Sequence, residues 1–146
     1  MKICWSVRPQ AQVKTNVAML TLMHTIRTHL ENGIINREQF KIVYIAPMKA
    51  FVAEMVTIFS KRLKKLNIVV RELIGDMQLT KTEMSGTQIL VTTPEKWDVE
   101  LVTSLISLVK LLTIDEVHLL HGERIPAVEA LLARTLRLVQ SSQSMR

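Results

Sequence analysis

The sequence predicts an α/β domain, a parallel sheet with helices on both faces. Three observations predict it. Short apolar runs of strand length alternate with longer segments at helical spacing throughout the chain, the pattern of repeated βα units. The runs at residues 41–46, 68–73, 88–92 and 109–114 are mostly apolar, as strands covered on both faces are. The residues suited to chemistry (Pro47, Gly75, Asp76, Thr93, Pro94, Asp115 and Glu116) fall just beyond those runs, at the carboxyl ends where such sheets bind ligands.

Taken in order, the first helix is read over residues 15–31, with Val17, Leu20, Met23 and Leu30 as its apolar face and Gly33 as its stop signal. Lys41-Ile42-Val43-Tyr44-Ile45-Ala46 is a buried strand that Pro47 ends. Helical spacing returns over residues 49–65 through Phe51, Met55, Ile58, Phe59 and Leu63. A strand over 68–73 closes at Gly75-Asp76, a short helix covers 80–85, and a strand covers 88–92 before Pro94 opens another helical turn. The fourth strand covers 109–114. A last amphipathic helix spans 125–140, with Val128, Leu131, Leu132, Leu136 and Val139 on its buried side. The polar end from Ser141 to Arg146 is expected to fray.

Composition bounds the rest. The 146 residues fit one domain, 48% hydrophobic and 22% charged, large enough to bury a substantial core. Aromatics make up only 4%, so Leu, Ile, Val and Met must fill that core. The single cysteine, Cys4, excludes an internal disulfide framework and suits a reducing, intracellular compartment. The opening residues are too short for a signal peptide, and no apolar run is long enough to span a membrane.

Charge is unevenly spread. Residues 1–71 hold 12 Lys/Arg against 3 Asp/Glu, and residues 72–146 hold 7 against 10. A basic half points to a polyanion such as nucleic acid. The run Lys61-Arg62-Leu63-Lys64-Lys65 by itself reads more simply as a solvated helix face.

Two stretches carry chemistry. Ile114-Asp115-Glu116-Val117-His118 sets two acids at a strand end. In a nucleoside triphosphatase the first acid meets Mg²⁺ through water and the second activates the attacking water. Mg²⁺ accepts few carboxylates and keeps many waters. Upstream, Lys14-Thr15 matches the end of the phosphate-loop pattern G-x-x-x-x-G-K-[ST]. There Lys14 would reach the phosphates and Thr15 the metal, but no glycine occurs before Gly33. Lys14-Thr15 reads equally as an ordinary helix start.

Four blocks extend the pattern: Ala46-Pro47-Met48-Lys49-Ala50, Gly75-Asp76-Met77-Gln78-Leu79, Thr92-Thr93-Pro94-Glu95-Lys96-Trp97-Asp98 and Asp115-Glu116-Val117-His118-Leu119-Leu120-His121. In this order and spacing they resemble the first RecA-like domain of the large DExH-box helicases of superfamily 2. The resemblance runs from Lys14 to nearly the end of the chain. It implies a P-loop NTPase fold, a three-layer α/β/α sandwich on a parallel sheet, with residues 1–146 as a partial ATP-binding domain.

The resemblance also implies roles. Lys14 and Thr15 would bind ATP, and Asp115 and Thr15 would hold Mg²⁺. Glu116 would activate water, and His118 would couple the nucleotide to the nucleic-acid side. Pro47, Lys49, Gly75, Asp76, Thr93 and Pro94 would follow the backbone of a single strand, DNA or RNA. Helicase-complex subunits would be further partners, and the nucleus or cytoplasm the location.

Departures set further expectations. The helicases read Ala-Pro-Thr-Gly-Ala-Gly-Lys-Thr at the loop, where this chain has Ala11 and Val13 for the two glycines. The family's next strand, with its Ser-Ala-Thr motif, lies beyond Arg146. The sheet is therefore expected to be incomplete at the C-terminus, with a hole between the phosphate-loop strand and the acidic strand. The chain alone is expected to be inactive. The alternative is a non-enzymatic remnant, or a basic interaction module without ATP turnover.

Overall fold

Hydrogen bonding between short apolar strands builds a five-stranded sheet in the order β1-β7-β4-β6-β5, every neighbouring pair parallel. The strands are β1 (Lys2–Trp5), β4 (Lys41–Ile45), β5 (Val70–Leu73), β6 (Ile89–Thr92) and β7 (Val109–Ile114). The structure is a computed structural model and describes residues 2–5, 11–73, 80–97, 107–115, 126, 129–130, 133–135 and 137. The helices are α1 (Ala11–Arg27), α2 (Lys49–Leu63), α3 (Lys81–Gly86) and α4 (Pro94–Trp97). A 3-10 turn, Lys64–Leu66, extends α2 and ends at Asn67 in a left-handed cap, φ 52°.

Side-chain alternation explains the layers. Ile42 and Tyr44 of β4, Ala46 just beyond it, Ile89 and Val91 of β6 and Leu111 of β7 share one core with Ala18, Met19, Leu22 and Ile26 of α1 and Val52, Met55 and Phe59 of α2. The intervening residues Val43, Ile45, Leu90, Leu112 and Ile114 point the other way and are buried as well. The sheet is therefore covered on both faces, as a strand set without polar alternation requires. Trp97 of α4 is fully buried, and its indole N–H donates to Thr135 Oγ1 at 3.4 Å.

The first strand corrects an expectation. β1 was not legible as a strand, and the sheet was expected to have a hole beside the acidic strand. Instead β1 pairs directly with β7, placing Lys2 opposite Leu111 and Trp5 opposite Ile114. An open β7 edge would leave a row of N–H and C=O groups unsatisfied. β1 meets that edge in parallel.

The first helix is corrected too. It spans Ala11–Arg27 rather than residues 15–31, and its faces are reversed. Val17, Leu20 and Met23 are exposed, Leu20 at 70%, while Ala18, Met19, Leu22, Thr25 and Ile26 pack inward. Both stripes are apolar, so spacing alone could not choose between them. The inward stripe includes the smaller Ala18 and Thr25, which let the helix approach the sheet closely.

Gly33 does not stop that helix. Asn32 and Gly33, at φ 50° and 80°, form the two-residue turn of a small antiparallel hairpin, β2 (Leu30–Glu31) with β3 (Ile34–Ile35). Positive φ at both positions is what such a turn demands, and Asn-Gly supplies it. Leu30 lies in β2 and is exposed.

The far end of the sheet is tied by a buried cation. Lys41, only 1% exposed, donates from Nζ to the carbonyls of Met84 at 2.8 Å, Ser85 at 2.7 Å and Thr87. These carbonyls lie at the end of α3, where a positive charge is favoured, and the Met84 carbonyl also accepts from the Thr87 amide at 3.3 Å. At its other end α3 has a capping box: Glu83 N–H donates to Thr80 Oγ1 at 3.2 Å, and Thr80 N–H to Glu83 Oε2 at 3.0 Å.

Candidate functional site

β4 and β7 stay paired up to the point where the acid leaves the sheet. The Asp115 amide donates to the Ile45 carbonyl at 2.9 Å. Parallel register sets Tyr44 opposite Thr113, so Tyr44 and Asp115 share a face of the sheet. There the Tyr44 hydroxyl donates to Asp115 Oδ2 at 2.6 Å, a short bond of the charge-assisted kind. Tyr44 is 2% exposed and Asp115 8%. Phe59 of α2 meets the tyrosine ring edge-on, centroids 5.2 Å apart at 77°. Thr113 is also buried, and its hydroxyl has no hydrogen-bond partner among the described residues.

Lys14 and Thr15 lie on α1, which packs against β7 and shares its core with Tyr44. They are therefore on the same side of the sheet as Asp115. Lys14 is buried, 9% exposed, and Thr15 half-buried. Neither follows a loop: α1 has already begun at Ala11, so both lie inside the helix. Gln12, Val13 and Lys14 all accept right-handed helical geometry, and nothing among them favours a positive φ. The first-turn amides of a helix have no intrahelical acceptor.

Asp115 and Thr15 suit a hydrated Mg²⁺, which takes one or two protein oxygens and fills the rest with water and phosphate. Among the described residues no group of three or more His, Cys, Asp or Glu could hold a metal by protein ligands alone. Glu116, His118, Gly75 and Asp76 lie outside the described residues.

The remaining sequence candidates divide by burial. Pro47 is buried at the end of β4, whereas Lys49 is exposed at the start of α2. The first turn of α2 has no side-chain cap and no acidic residue, leaving amides that an anion can meet. Thr93 and Pro94 are buried at the start of α4, where the Thr93 carbonyl accepts from the Lys96 and Trp97 amides, each at 3.2 Å. Elsewhere, Lys61, Arg62, Lys64 and Lys65 are all exposed, and Arg62 Nη1 donates to Asn16 Oδ1 at 3.0 Å.

Two functional-looking residues escaped sequence reasoning. Tyr44 read as one more core residue of a strand. Its signal was a lone phenol in a buried run, because a buried hydroxyl needs a partner. Lys41 offered a similar signal, a lysine opening a strand with no exposed face.

The DEAD/DEAH box helicase family matches residues 12–145. The chain belongs to this family. The chain is 57% identical over 150 residues to activating signal cointegrator 1 complex subunit 3 of Mus musculus, covering 99% of this chain and 7% of that protein. It is 59% identical over 143 residues to the Danio rerio protein of the same name, covering 94% of this chain and 9% of the relative. Against the DExH-box ATP-dependent RNA helicase DExH14 of Arabidopsis thaliana identity is 55% over 143 residues, 94% of this chain and 6% of the relative. This sequence thus spans less than a tenth of the length of these relatives. Its fold is the RecA-like α/β arrangement of the family. No helix among the described residues is long and apolar enough to cross a membrane.

Proposed function

We propose that residues 1–146 form a partial ATP-binding domain of a DExH-box helicase, which binds Mg·ATP weakly and does not turn it over alone. The observation that carries this reading is Asp115, a buried carboxylate held at the carboxyl end of β7 on the side of the sheet where α1 presents Lys14 and Thr15. Thr15 and Asp115 would hold Mg²⁺, and Lys14 would neutralise the phosphates. When bound, Mg²⁺ polarises the phosphate oxygens. Glu116 would take the proton of the attacking water, and His118 would couple that site to nucleic acid.

The nucleic-acid side fits a single strand held by its backbone. Lys49 and the uncapped first amides of α2 suit phosphate oxygens. Pro47, Thr93 and Pro94 would shape that path, with Gly75 and Asp76 beside it. Binding of this kind is sequence-tolerant and weakens with salt. Subunits of a helicase complex are the further partners, by analogy with a relative named as a complex subunit, and the nucleus or cytoplasm is the proposed location.

The assay is phosphate release by the purified chain, with and without single-stranded nucleic acid. No turnover above background is expected. Stimulated turnover that disappears in Lys14→Ala and Glu116→Gln would overturn the inactivity.

A second reading has one observation in its favour: α1 is helical from Ala11, through the place where a phosphate loop would stand. On that reading the chain is a non-enzymatic remnant whose basic half, including Lys61, Arg62, Lys64 and Lys65, meets a polyanion. Salt-sensitive nucleic-acid binding without any Mg·ATP binding would support it.

A further inference from the structure

Asp115 leaves its strand at the point where a carboxylate ordinarily gains rotational freedom, yet its side chain is held. Tyr44 donates to Oδ2 at 2.6 Å, and the donor is itself fixed. Its ring is buried in the core and meets Phe59 edge-on at 5.2 Å. Its backbone belongs to β4, which pairs with β7 through the residues immediately before the acid. The Asp115 amide is bound to Ile45, the residue after Tyr44. Main chain and side chain of the acid are thus both anchored to the same two residues of the neighbouring strand.

We propose that Tyr44 is the positioning residue of the metal-binding acid. It fixes the rotation of the Asp115 carboxylate, so that a hydrated cation meets one orientation rather than several. Tyr44 touches neither nucleotide nor metal in this role and acts only through Asp115. The role rests on the ATP-binding reading above for its purpose, but the positioning itself concerns a divalent cation and one carboxylate.

A packing role alone would make Tyr44 interchangeable with phenylalanine. The ring, the contact with Phe59 and the burial would all survive, and only the donor would be lost. Preorganisation predicts the opposite: Tyr44→Phe keeps the fold and loosens the cation. A hydrogen bond to a charged group of this kind is worth roughly tenfold in an equilibrium constant.

The test titrates Mn²⁺ alone, without nucleotide, into the 146-residue chain, with free Mn²⁺ counted by electron paramagnetic resonance. The wild-type chain is expected to show one site, Tyr44→Phe the same site about tenfold weaker, and Asp115→Asn none. Circular dichroism checks that each variant folds. Because Tyr44 is the only tyrosine, a ¹³Cζ-tyrosine label gives a single resonance that bound Mn²⁺ should broaden in wild type and leave sharp in Asp115→Asn. Equal Mn²⁺ affinity in wild type and Tyr44→Phe would overturn the proposal, as would a wild-type chain with no Mn²⁺ site. Calorimetry with Mg·ATP separates the two readings. A chain that holds Mn²⁺ at Asp115 but takes up no Mg·ATP keeps the positioning role and loses the ATP-binding one.

Discussion

Cys4 of β1 lies directly opposite Thr113 of β7 in parallel register. That pairing places the strand leading towards α1 beside the strand that ends in the acid, with no strand between them. The sheet is thus continuous where it was expected to be broken. It brings the start of α1 and the end of β7 into one neighbourhood.

Hydrogen exchange tests the pairing. In a parallel ladder the amides of an edge strand point alternately to the partner and to solvent. Alternate amides of residues 2–5 should therefore be protected, and those between them should exchange as in an open chain. Deleting residues 1–6 should destabilise the chain by about 2–4 kcal/mol, on the order of 1 kcal/mol per lost bond. Uniform fast exchange over residues 2–5 would show the β7 edge to be open.

Lys41→Met should cost about 2 kcal/mol, because three carbonyls at the end of α3 lose the Lys41 ammonium together. The pH dependence has a definite sign. Burial pushes the Lys41 ammonium below the ordinary lysine range, with Glu38 opposing the shift. Between the folded value and the unfolded value of about 10.4 the unfolded chain then binds more protons. This group's contribution to stability therefore rises with pH across that alkaline window and is flat below it. Chemical denaturation of wild type and Lys41→Met over the window should show the rise in wild type only.

Glu83 should act at the acid end. The Thr80 amide and hydroxyl, followed by Arg71, hold its carboxyl below the ordinary carboxylate range. Its contribution is present above about pH 4.3 and is lost as pH falls through the lowered folded value. Glu83→Ala should remove that acid-side loss, measured as thermal midpoint against pH. Thr80→Ala, which removes the cap itself, should cost about 1 kcal/mol at neutral pH.

The alternation of βα units, and with it four of the five strands of the sheet, was legible because buried parallel strands are written as apolar runs. β1 was not, since four residues, Lys2–Trp5, carry too little pattern and are defined only by the edge they meet. The face of α1 was misread because Val17-Leu20-Met23 and Ala18-Leu22-Ile26 are both apolar. Asp115 and Lys14-Thr15 were candidates from their spacing. The bond that holds Asp115 was not legible, because it depends on β4 lying beside β7 across 71 residues of sequence separation.

The helix that begins at Ala11 can be loosened deliberately. Ala11→Gly with Val13→Gly should cost roughly 1 kcal/mol at each position in helix propensity, fraying the turn before Lys14. If the missing glycines are what weakens phosphate binding, the double variant should gain at least about tenfold in Mg·ATP affinity despite its lower stability. An unchanged affinity would place the limit elsewhere in the domain.

The most direct measurement is a calorimetric titration of ATP into the folded chain, with Mg²⁺ and without it, for wild type, Lys14→Ala and Asp115→Asn. Weak, saturable, one-to-one binding is predicted for wild type only when Mg²⁺ is present, and it should vanish in both variants. Absence of binding in wild type, or binding that survives Lys14→Ala and Asp115→Asn, would contradict the assignment of this site to ATP.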